Sequence, residues 1–136
     1  MLDQAALDLL ARPLFARLST NGADGYPHSI PIWFATDVDE AGVVSVWFIS
    51  DRSARKTQNA LADPRAAVVI GGDPTDGLGY LLRGRISVED DPGQQMTHRM
   101  IDRYETGDRN GALRAEWKDD DVVVLRFHVE RVTRVR

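Results

Sequence analysis

The chain has 136 residues, of which 43% are hydrophobic, and a formal net charge of −4. This length suits one domain with its own core and is too short for two, so we expect a single domain over residues 1–136. The acidic balance, without a block of like charges, argues against a surface for nucleic acid or anionic membrane. The sequence has no cysteine, which excludes disulfides and thiolate chemistry. With no leader-like or long apolar segment, we expect a cytoplasmic protein.

The first third of the chain changes from a helical pattern to a strand pattern. Apolar residues recur at helical spacing over residues 2–10 behind Asp3, a residue typical of a helix N-cap. Period-two segments then predict strands at residues 14–20, 26–34 and 43–49. Gly- and Asp-rich turns at residues 21–25 and 37–42 join them. We expect the three strands to form an antiparallel meander.

The middle of the chain predicts a short helix between two strands. Residues 54–62 are good helix formers, and residues 50–53 offer polar N-cap side chains before them. The continuous apolar run at residues 66–70 is typical of a strand buried on both faces. Another strand is predicted at residues 80–89, where Gly84 indicates a bulge or a close backbone approach.

The last third predicts helices followed by a long closing strand. Asp91 suits the N-cap of a helix that ends near Gly107, and a shorter helical piece follows at residues 111–117. Apolar and polar residues then alternate over residues 121–135. Because most strands follow one another through turns, the pattern predicts a mainly β (α+β) fold. We expect an antiparallel split β-barrel of six or more strands with short flanking helices.

A basic turn before the predicted middle helix is the segment most suited to ligand chemistry. Arg52, Arg55 and Lys56 concentrate positive charge within five residues, and Ser50 and Ser53 add hydrogen-bond donors beside the positive end of the helix. An arginine fork with a lysine point charge suits a terminal phosphate monoester. The alternative is an ordinary solvated basic helix face, and charge alone does not decide between the two.

The residues around this turn form a pattern that resembles a known family. A strand is followed by Ser50, then by Ser53-x-Arg55-Lys56-Thr57-x-Asn59, then by Asp63-Pro64-Arg65 and an apolar strand. This order is similar to the phosphate-binding signature of the pyridoxamine-phosphate-oxidase-like split barrels, which bind flavins or deazaflavins. Residues 25–34 and 81–88 look like two further strands of that family.

The resemblance implies a homodimer with two cofactors in clefts at the subunit interface. It places the phosphate at Arg55 and Lys56, beside Arg52 and Ser53 of the basic turn, with Ile49 and Ser50 lining the cofactor. The flavin ring or its side chain would lie along two early strands, at Arg17, Leu18 and Ser19, and at Pro31, Ile32 and Trp33.

The function implied is an oxidoreductase that transfers hydride between FMN, or alternatively coenzyme F420, and an unidentified small organic substrate. No catalytic side chain is assigned. The chain lacks a recognisable C-terminal substrate-binding tail, which argues against vitamin B6 chemistry. One alternative is a non-enzymatic cofactor-binding module. Another is haem binding with His28 or His98 as ligand. The three histidines are too scattered for a metal motif, so no metal site is expected.

Overall fold

Residues 2–136, which the computed structural model describes, form seven strands, four α-helices and one 3-10 turn. The helices are α1 (Gln4–Leu10), α2 (Arg55–Ala62), α3 (Gln95–Tyr104) and α4 (Gly107–Trp117), and the 3-10 turn Pro92–Gln94 precedes α3. The strands are β1 (Phe15–Asn21), β2 (Pro27–Trp33), β3 (Ala35–Val38), β4 (Val44–Asp51), β5 (Arg65–Gly71), β6 (Gly79–Asp90) and β7 (Val122–Arg134). None of these helices is long and apolar enough to cross a membrane.

The strands form one antiparallel sheet in the order β2-β1-β5-β6-β7-β4-β3. Long strands β6 and β7 pair over most of their length at its centre. The sheet curls around a core, and the predicted mainly β split barrel of six or more strands is confirmed. The number of strands exceeds the six counted from sequence because the short strand β3 was not predicted.

The core lies inside the curled sheet and is built by alternation along the strands. In β1, Ala16, Leu18 and Thr20 point inward and are buried, as period two requires. The main apolar cluster also takes side chains from α1 and from β4 to β7. A smaller cluster, formed by Ala35, Trp47, Met100 and Val124, lies between the sheet and α3.

At Phe34 the chain crosses from β2, at one edge of the sheet, to β3, at the other edge. The predicted antiparallel meander of the first three strands is therefore wrong. β2 pairs only with β1, whereas β4 pairs with β3 and β7. Phe34 is fully buried at the break, and its amide donates to the hydroxyl of Tyr104 at 3.1 Å. The strand predicted over residues 26–34 therefore ends at Trp33. Strand β3 follows it and includes the first two residues of the turn predicted at residues 37–42.

The structure confirms the predicted N-cap of α1 but not the predicted N-cap of α2. The side chain of Asp3 accepts the amide of Ala6 at 2.9 Å, as expected for the N-cap of α1. The N-cap of α2 is Ala54, and no side chain caps it, so the predicted capping by residues 50–53 is wrong. Those residues complete β4 and a turn instead, which leaves the first-turn amides of α2 without a side-chain acceptor.

Two further segments differ from their predicted form. In β5, Val68 and Ile70 are buried, but the outward-facing Ala67 and Val69 are only half-buried, so this strand is not covered on both faces. The helix expected after Asp91 begins as the 3-10 turn and is interrupted at Gln94, whose φ of 54° lies in the left-handed region.

Gly84 allows the central strands to approach closely, as predicted. The pairing of β6 with β7 shifts register between Arg83 and Gly84, which marks a β-bulge. A Cβ on Gly84 would overlap the carbonyl oxygen of His128 and lie 3.2 Å from the amide nitrogen of Glu130. Since both atoms belong to the backbone, a larger residue here must displace a strand.

We expect Gly84→Ala to lower the free energy of unfolding by roughly 1–3 kcal/mol because it overpacks this crossing. The matched control is Gly111→Ala, where nothing lies within 4 Å of the new methyl group on α4. This control should raise stability by about 0.5–1 kcal/mol because it removes a glycine from a helix. Urea unfolding of the three proteins tests both signs, and equal stability of Gly84→Ala and wild type would contradict the bulge argument.

Candidate functional site

The end of β4 and the start of α2 are locked together by buried hydroxyl groups. Thr57 is fully buried, and its Oγ1 lies 2.8 Å from both Ser50 Oγ and the carbonyl oxygen of Asp51. Ser50 Oγ in turn donates to the carbonyl oxygen of Asp51 at 3.1 Å. The side chain of Ser50 is thus used to fix the turn, and the helix start is held at a defined place beside the strand end.

Arg52 is held by acidic side chains on neighbouring elements. Its guanidinium donates to Asp121 at 2.9 Å and to Asp90 at 2.6 Å, and its amide donates to the carbonyl oxygen of Asp121. These hydrogen bonds, with Asp121 contributing most, raise the pKa of Arg52 above its usual value. Arg52 therefore ties the turn after β4 to the start of β7.

Lys56 occupies a different environment from its basic neighbours. Its ammonium group is half-buried, and burial lowers the pKa of Lys56 below the usual lysine value, opposed only by the charge of Asp51. Across residues 2–136 it has no ion-pair partner within 4 Å, and Arg55 beside it is exposed. A half-buried cation that makes no ion pair is suited to bind an anion, which here would compete with the nearby charge of Asp51.

Lys56 lines a cavity of about 220 Å³, which we call the Lys56 cavity. Its other lining residues are Ile49, Ser50, Asp51, Trp117, Asp120 and Val122. Lys56 is the sole cation among these described residues, which also include the carboxylates of Asp51 and Asp120. Because the start of α2 lies beside the cavity, its first-turn amides add a partial positive charge to that of the ammonium group.

A second and mostly apolar cavity of about 350 Å³ adjoins the first, and we call it the apolar cavity. It is lined by Phe15, Pro31, Ile32, Trp33, Ile49, Thr97, Met100, Arg109, Leu113 and Trp117. Ile49 and Trp117 line both cavities, so the two cavities are adjacent. We call them together the slot, which has an apolar part and a polar part that contains Lys56 beside Asp51 and Asp120.

Aromatic rings form the walls of the apolar cavity. Trp33 stacks on Tyr104 with ring centroids 4.6 Å apart and planes within 2°. Trp117 lies across from it, tilted by 56°, with a centroid separation of 6.4 Å. The hydroxyl of Tyr104 donates to the carbonyl oxygen of Leu14 at 2.6 Å, which fixes the ring that supports Trp33. A flat ligand would therefore meet a rigid aromatic surface on one side.

The structure brings together half of the residues that sequence reasoning assigned to a cofactor. The residues that line the slot are Pro31, Ile32, Trp33, Ile49, Ser50 and Lys56. The residues that do not line it are Arg17, Leu18, Ser19, Arg52, Ser53 and Arg55. Leu18 is in the barrel core with 1% exposure, and Ser19 lies on the outer sheet face, with its hydroxyl 2.6 Å from that of Ser29.

The wall contributed by α3 and α4 was not foreseen. Arg109, Leu113 and Trp117 are spaced by four residues and share one face of α4, and this spacing is a signal that the sequence does contain. This spacing could have predicted that the three side chains share one helix face, but not which part of the molecule that face covers. Neither His28 nor His98 lines the slot, and residues 2–136 contain no cluster of three His, Asp or Glu side chains able to hold a metal ion.

The curled sheet and its rim cavities define a split β-barrel protein, and a sequence comparison specifies which family. The sequence profile described as pyridoxamine 5'-phosphate oxidase matches residues 2–136. The chain belongs to the pyridoxamine 5'-phosphate oxidase family, so the resemblance drawn from the basic turn is confirmed. No curated protein matches the sequence.

Solved structures share the fold at low sequence identity. An F420 reductase is 23% identical with a TM-score of 0.72, and the match covers 93% of this chain and 94% of that one. A conserved hypothetical protein of Mycobacterium tuberculosis is 22% identical with a TM-score of 0.72, over 98% and 84% of the two chains. General stress protein 26 of Bacillus anthracis is 16% identical with a TM-score of 0.68, over 96% and 91%.

We expect Lys56→Met to raise the melting temperature of the ligand-free protein by a few degrees, because it removes a half-buried charge that makes no ion pair. The gain in melting temperature should be largest at pH values below the lowered pKa of Lys56. It should shrink as the pH rises through that pKa towards the ordinary lysine value of 10.5, where the amine is neutral in both the folded and the unfolded chain.

The matched control is Lys118→Met, since Lys118 is exposed and lies outside both parts of the slot. This control should leave the melting temperature unchanged between pH 7 and 10. Thermal unfolding of the three proteins across that range makes the comparison. A loss of stability in Lys56→Met at neutral pH would show that the ammonium group has a partner that holds it.

Proposed function

We propose that the slot binds a flavin or deazaflavin, with the ring in the apolar cavity and the phosphate in the Lys56 cavity, and that the protein is an oxidoreductase. The observation that carries the proposal is that an apolar cavity and a cavity with a half-buried lysine share Ile49 and Trp117 in their walls. The ligand proposed for them is flat and apolar at one end, and at the other it carries a phosphate that Lys56 would bind beside Asp51 and Asp120. Together the cavities fall within the range of about 300–1,000 Å³ typical of small-ligand sites.

The residues present fit such a group at both ends. Lys56 and the first-turn amides of α2 would hold the phosphate, and the Ser50 to Thr57 contact keeps that helix start in place. Trp33 and Trp117 would border the ring. Arg55 is exposed at the same helix start and would contact a phosphate from outside the cavity.

The bound cofactor would supply hydride transfer, and the side chains of this chain would supply binding, orientation and exclusion of water. Apart from Arg109, the described residues that line the apolar cavity have no titratable side chain. No acid or base is therefore assigned. Trp33, fixed by its stack on Tyr104, and Ile49 would keep water from the reacting face.

FMN is the cofactor that we propose, with coenzyme F420 as the alternative. The lysine and arginine at the start of α2 suit a terminal phosphate monoester, which favours FMN. Coenzyme F420 is kept as the alternative because an F420 reductase is among the solved structures similar to this chain. The substrate is proposed to be a small organic molecule that enters beside Arg109, which is exposed at the rim of the apolar cavity.

A non-enzymatic cofactor-binding module is the second candidate, favoured by the lack of an acid or base among the lining residues of the apolar cavity. Turnover of the bound cofactor with a reductant and an acceptor separates the two functions. Reduction and reoxidation of the cofactor without transfer to any organic substrate would favour the module.

We also propose a homodimer that is formed through the outward faces of β1, β5 and β6. These strands place Ser19, Ala67 and Val69 outward among the exposed arginines Arg17, Arg65, Arg83 and Arg85. The paired positions Ser19 and Ala67 leave a shallow cavity of about 350 Å³ between two of these arginines. Light scattering should give a particle mass about twice the 15.2 kDa of one chain. A mass equal to one chain at micromolar concentration would contradict this proposal.

The test of the cofactor proposal is a parallel titration of the purified apo-protein with FMN and with F420, followed by ligand fluorescence. We expect micromolar or tighter binding of one of them. Lys56→Glu should weaken that binding by about 10–100-fold, because it removes a charge-assisted contact to phosphate. Arg131→Glu makes the same charge change at an exposed position of β7 outside both cavities, where salt screens its effect, and should leave the dissociation constant within about twofold.

Two results would overturn the proposal. Binding of neither cofactor would remove its basis. Equal loss of affinity in both variants would show that net charge, and not the Lys56 cavity, controls binding. Circular dichroism of each variant confirms that it is folded.

A further inference from the structure

The residue Gln94 has an unusual backbone conformation close to the slot. Among residues 2–136 it is the only non-glycine residue with a positive φ, at φ 54° and ψ 31°. A side chain with a Cβ is disfavoured in this left-handed region, so the surrounding contacts must compensate for the cost. Asp91 provides part of that compensation, since its carbonyl oxygen accepts the amide of Gln94 at 3.0 Å.

The carboxylate of Asp91 fixes the other side of this bend. Asp91 is 9% exposed, and its carboxylate accepts the amides of Met96 and Thr97 at 2.9 Å each and the hydroxyl of Thr97 at 2.6 Å. The start of α3 is therefore rigid. The bend at Gln94 is held on both sides, and its side chain is aimed away from α3.

The side chain of Gln94 binds the end of α4. Its Nε2 donates to the carbonyl oxygen of Trp117 at 2.7 Å and lies 3.3 Å from the carbonyl oxygen of Asp120. The same carbonyl of Trp117 accepts the amide of Asp120 at 3.0 Å, which closes the turn after the helix. Gln94 thus joins both ends of the turn over residues 117–120.

This turn carries part of the slot, and apart from Gln94 it is held by Arg52 at Asp121 and by the packing of Trp117 against Trp33. Trp117 lines both cavities, and Asp120 lines the Lys56 cavity. In α4 itself only Leu113 is buried, and the hydrogen bonds from Asn110 and Arg114 to Asp102 hold the earlier turns of the helix. Gln94 is thus the side chain that binds the backbone of Trp117, beside the ring contact of Trp117 with Trp33.

We propose that Gln94 is a positioning residue for the cofactor site. Its strained backbone directs the side-chain amide to the carbonyl oxygen of Trp117, and this contact fixes Trp117, which lines both cavities. This inference rests on the proposed function of the slot. Gln94 does not line either cavity, and it would act on the ligand only through Trp117 and the turn that follows.

The test uses Gln94→Gly, because glycine accepts the left-handed backbone and lacks the amide side chain. We expect the melting temperature to stay equal or rise, while the affinity for the cofactor that the wild type binds falls by about tenfold. The matched control is Gln95→Gly at the exposed first residue of α3. This control should lower the melting temperature and leave the affinity unchanged.

A Trp117→Ala background shows whether the effect passes through the tryptophan. Adding Gln94→Gly to Trp117→Ala should change the dissociation constant by less than twofold, because the group that Gln94 positions is absent. Unchanged affinity in the single variant Gln94→Gly would overturn the proposal. An equal tenfold loss in the Trp117→Ala background would also overturn it.

Hydrogen exchange of the ligand-free protein distinguishes failure of this inference from failure of the proposed function. In Gln94→Gly, the amides of residues 113–121 should exchange faster than in wild type, with the strand amides unchanged. If wild type binds neither cofactor but this pattern is seen, the proposed function fails and the positioning of Trp117 by Gln94 stands. Equal exchange in both proteins would refute the positioning role itself.

Discussion

The hydroxyl group of Tyr104 holds the point at which the sheet changes sides, and the slot depends on it. It donates to the carbonyl oxygen of Leu14 before β1 and accepts the amide of Phe34 between β2 and β3. Burial raises the pKa of Tyr104 above the ordinary tyrosine value, which favours the protonated hydroxyl that the contact with Leu14 needs. The same ring supports Trp33 at the slot. One side chain of α3 thus connects the barrel closure to the aromatic wall.

Local patterns in the sequence were enough for much of the fold. The helix at Asp3 and the bulge at Gly84 each depend on neighbouring residues, and the structure contains both. The alternation predicted for β7 begins only at Leu125, because Val122, Val123 and Val124 are all buried as well. The strand β3 was missed because it has four residues in a turn-rich segment, and only pairing with β4 makes it a strand. Its existence is a tertiary effect that local propensity does not encode.

The site was harder to foresee because its residues are distant in sequence. Lys56 and Ile49 were found because they belong to one local motif. Trp117 reaches the same slot only through the path of α3 and α4, which no pattern around residue 49 reveals. Arg52 looked like an equal member of the basic turn, but its partners Asp90 and Asp121 lie on other elements and engage its charge. Counting the charges in the sequence therefore predicted a basic turn, but not which of its cations would lack an ion-pair partner.

The two sides of the slot differ in how firmly they are held, and this difference bears on function. Trp33, Ile49 and Met100 belong to or pack against the smaller core cluster, so the floor of the apolar cavity is part of the packed interior. The opposite wall comes from α4, which buries one residue. Away from Trp117, whose backbone Gln94 binds, we expect this wall to yield more easily than the floor, so that a large ring enters beside Arg109 while the floor keeps its geometry. A site of this kind combines a fixed surface for orienting a ligand with a movable one for admitting it.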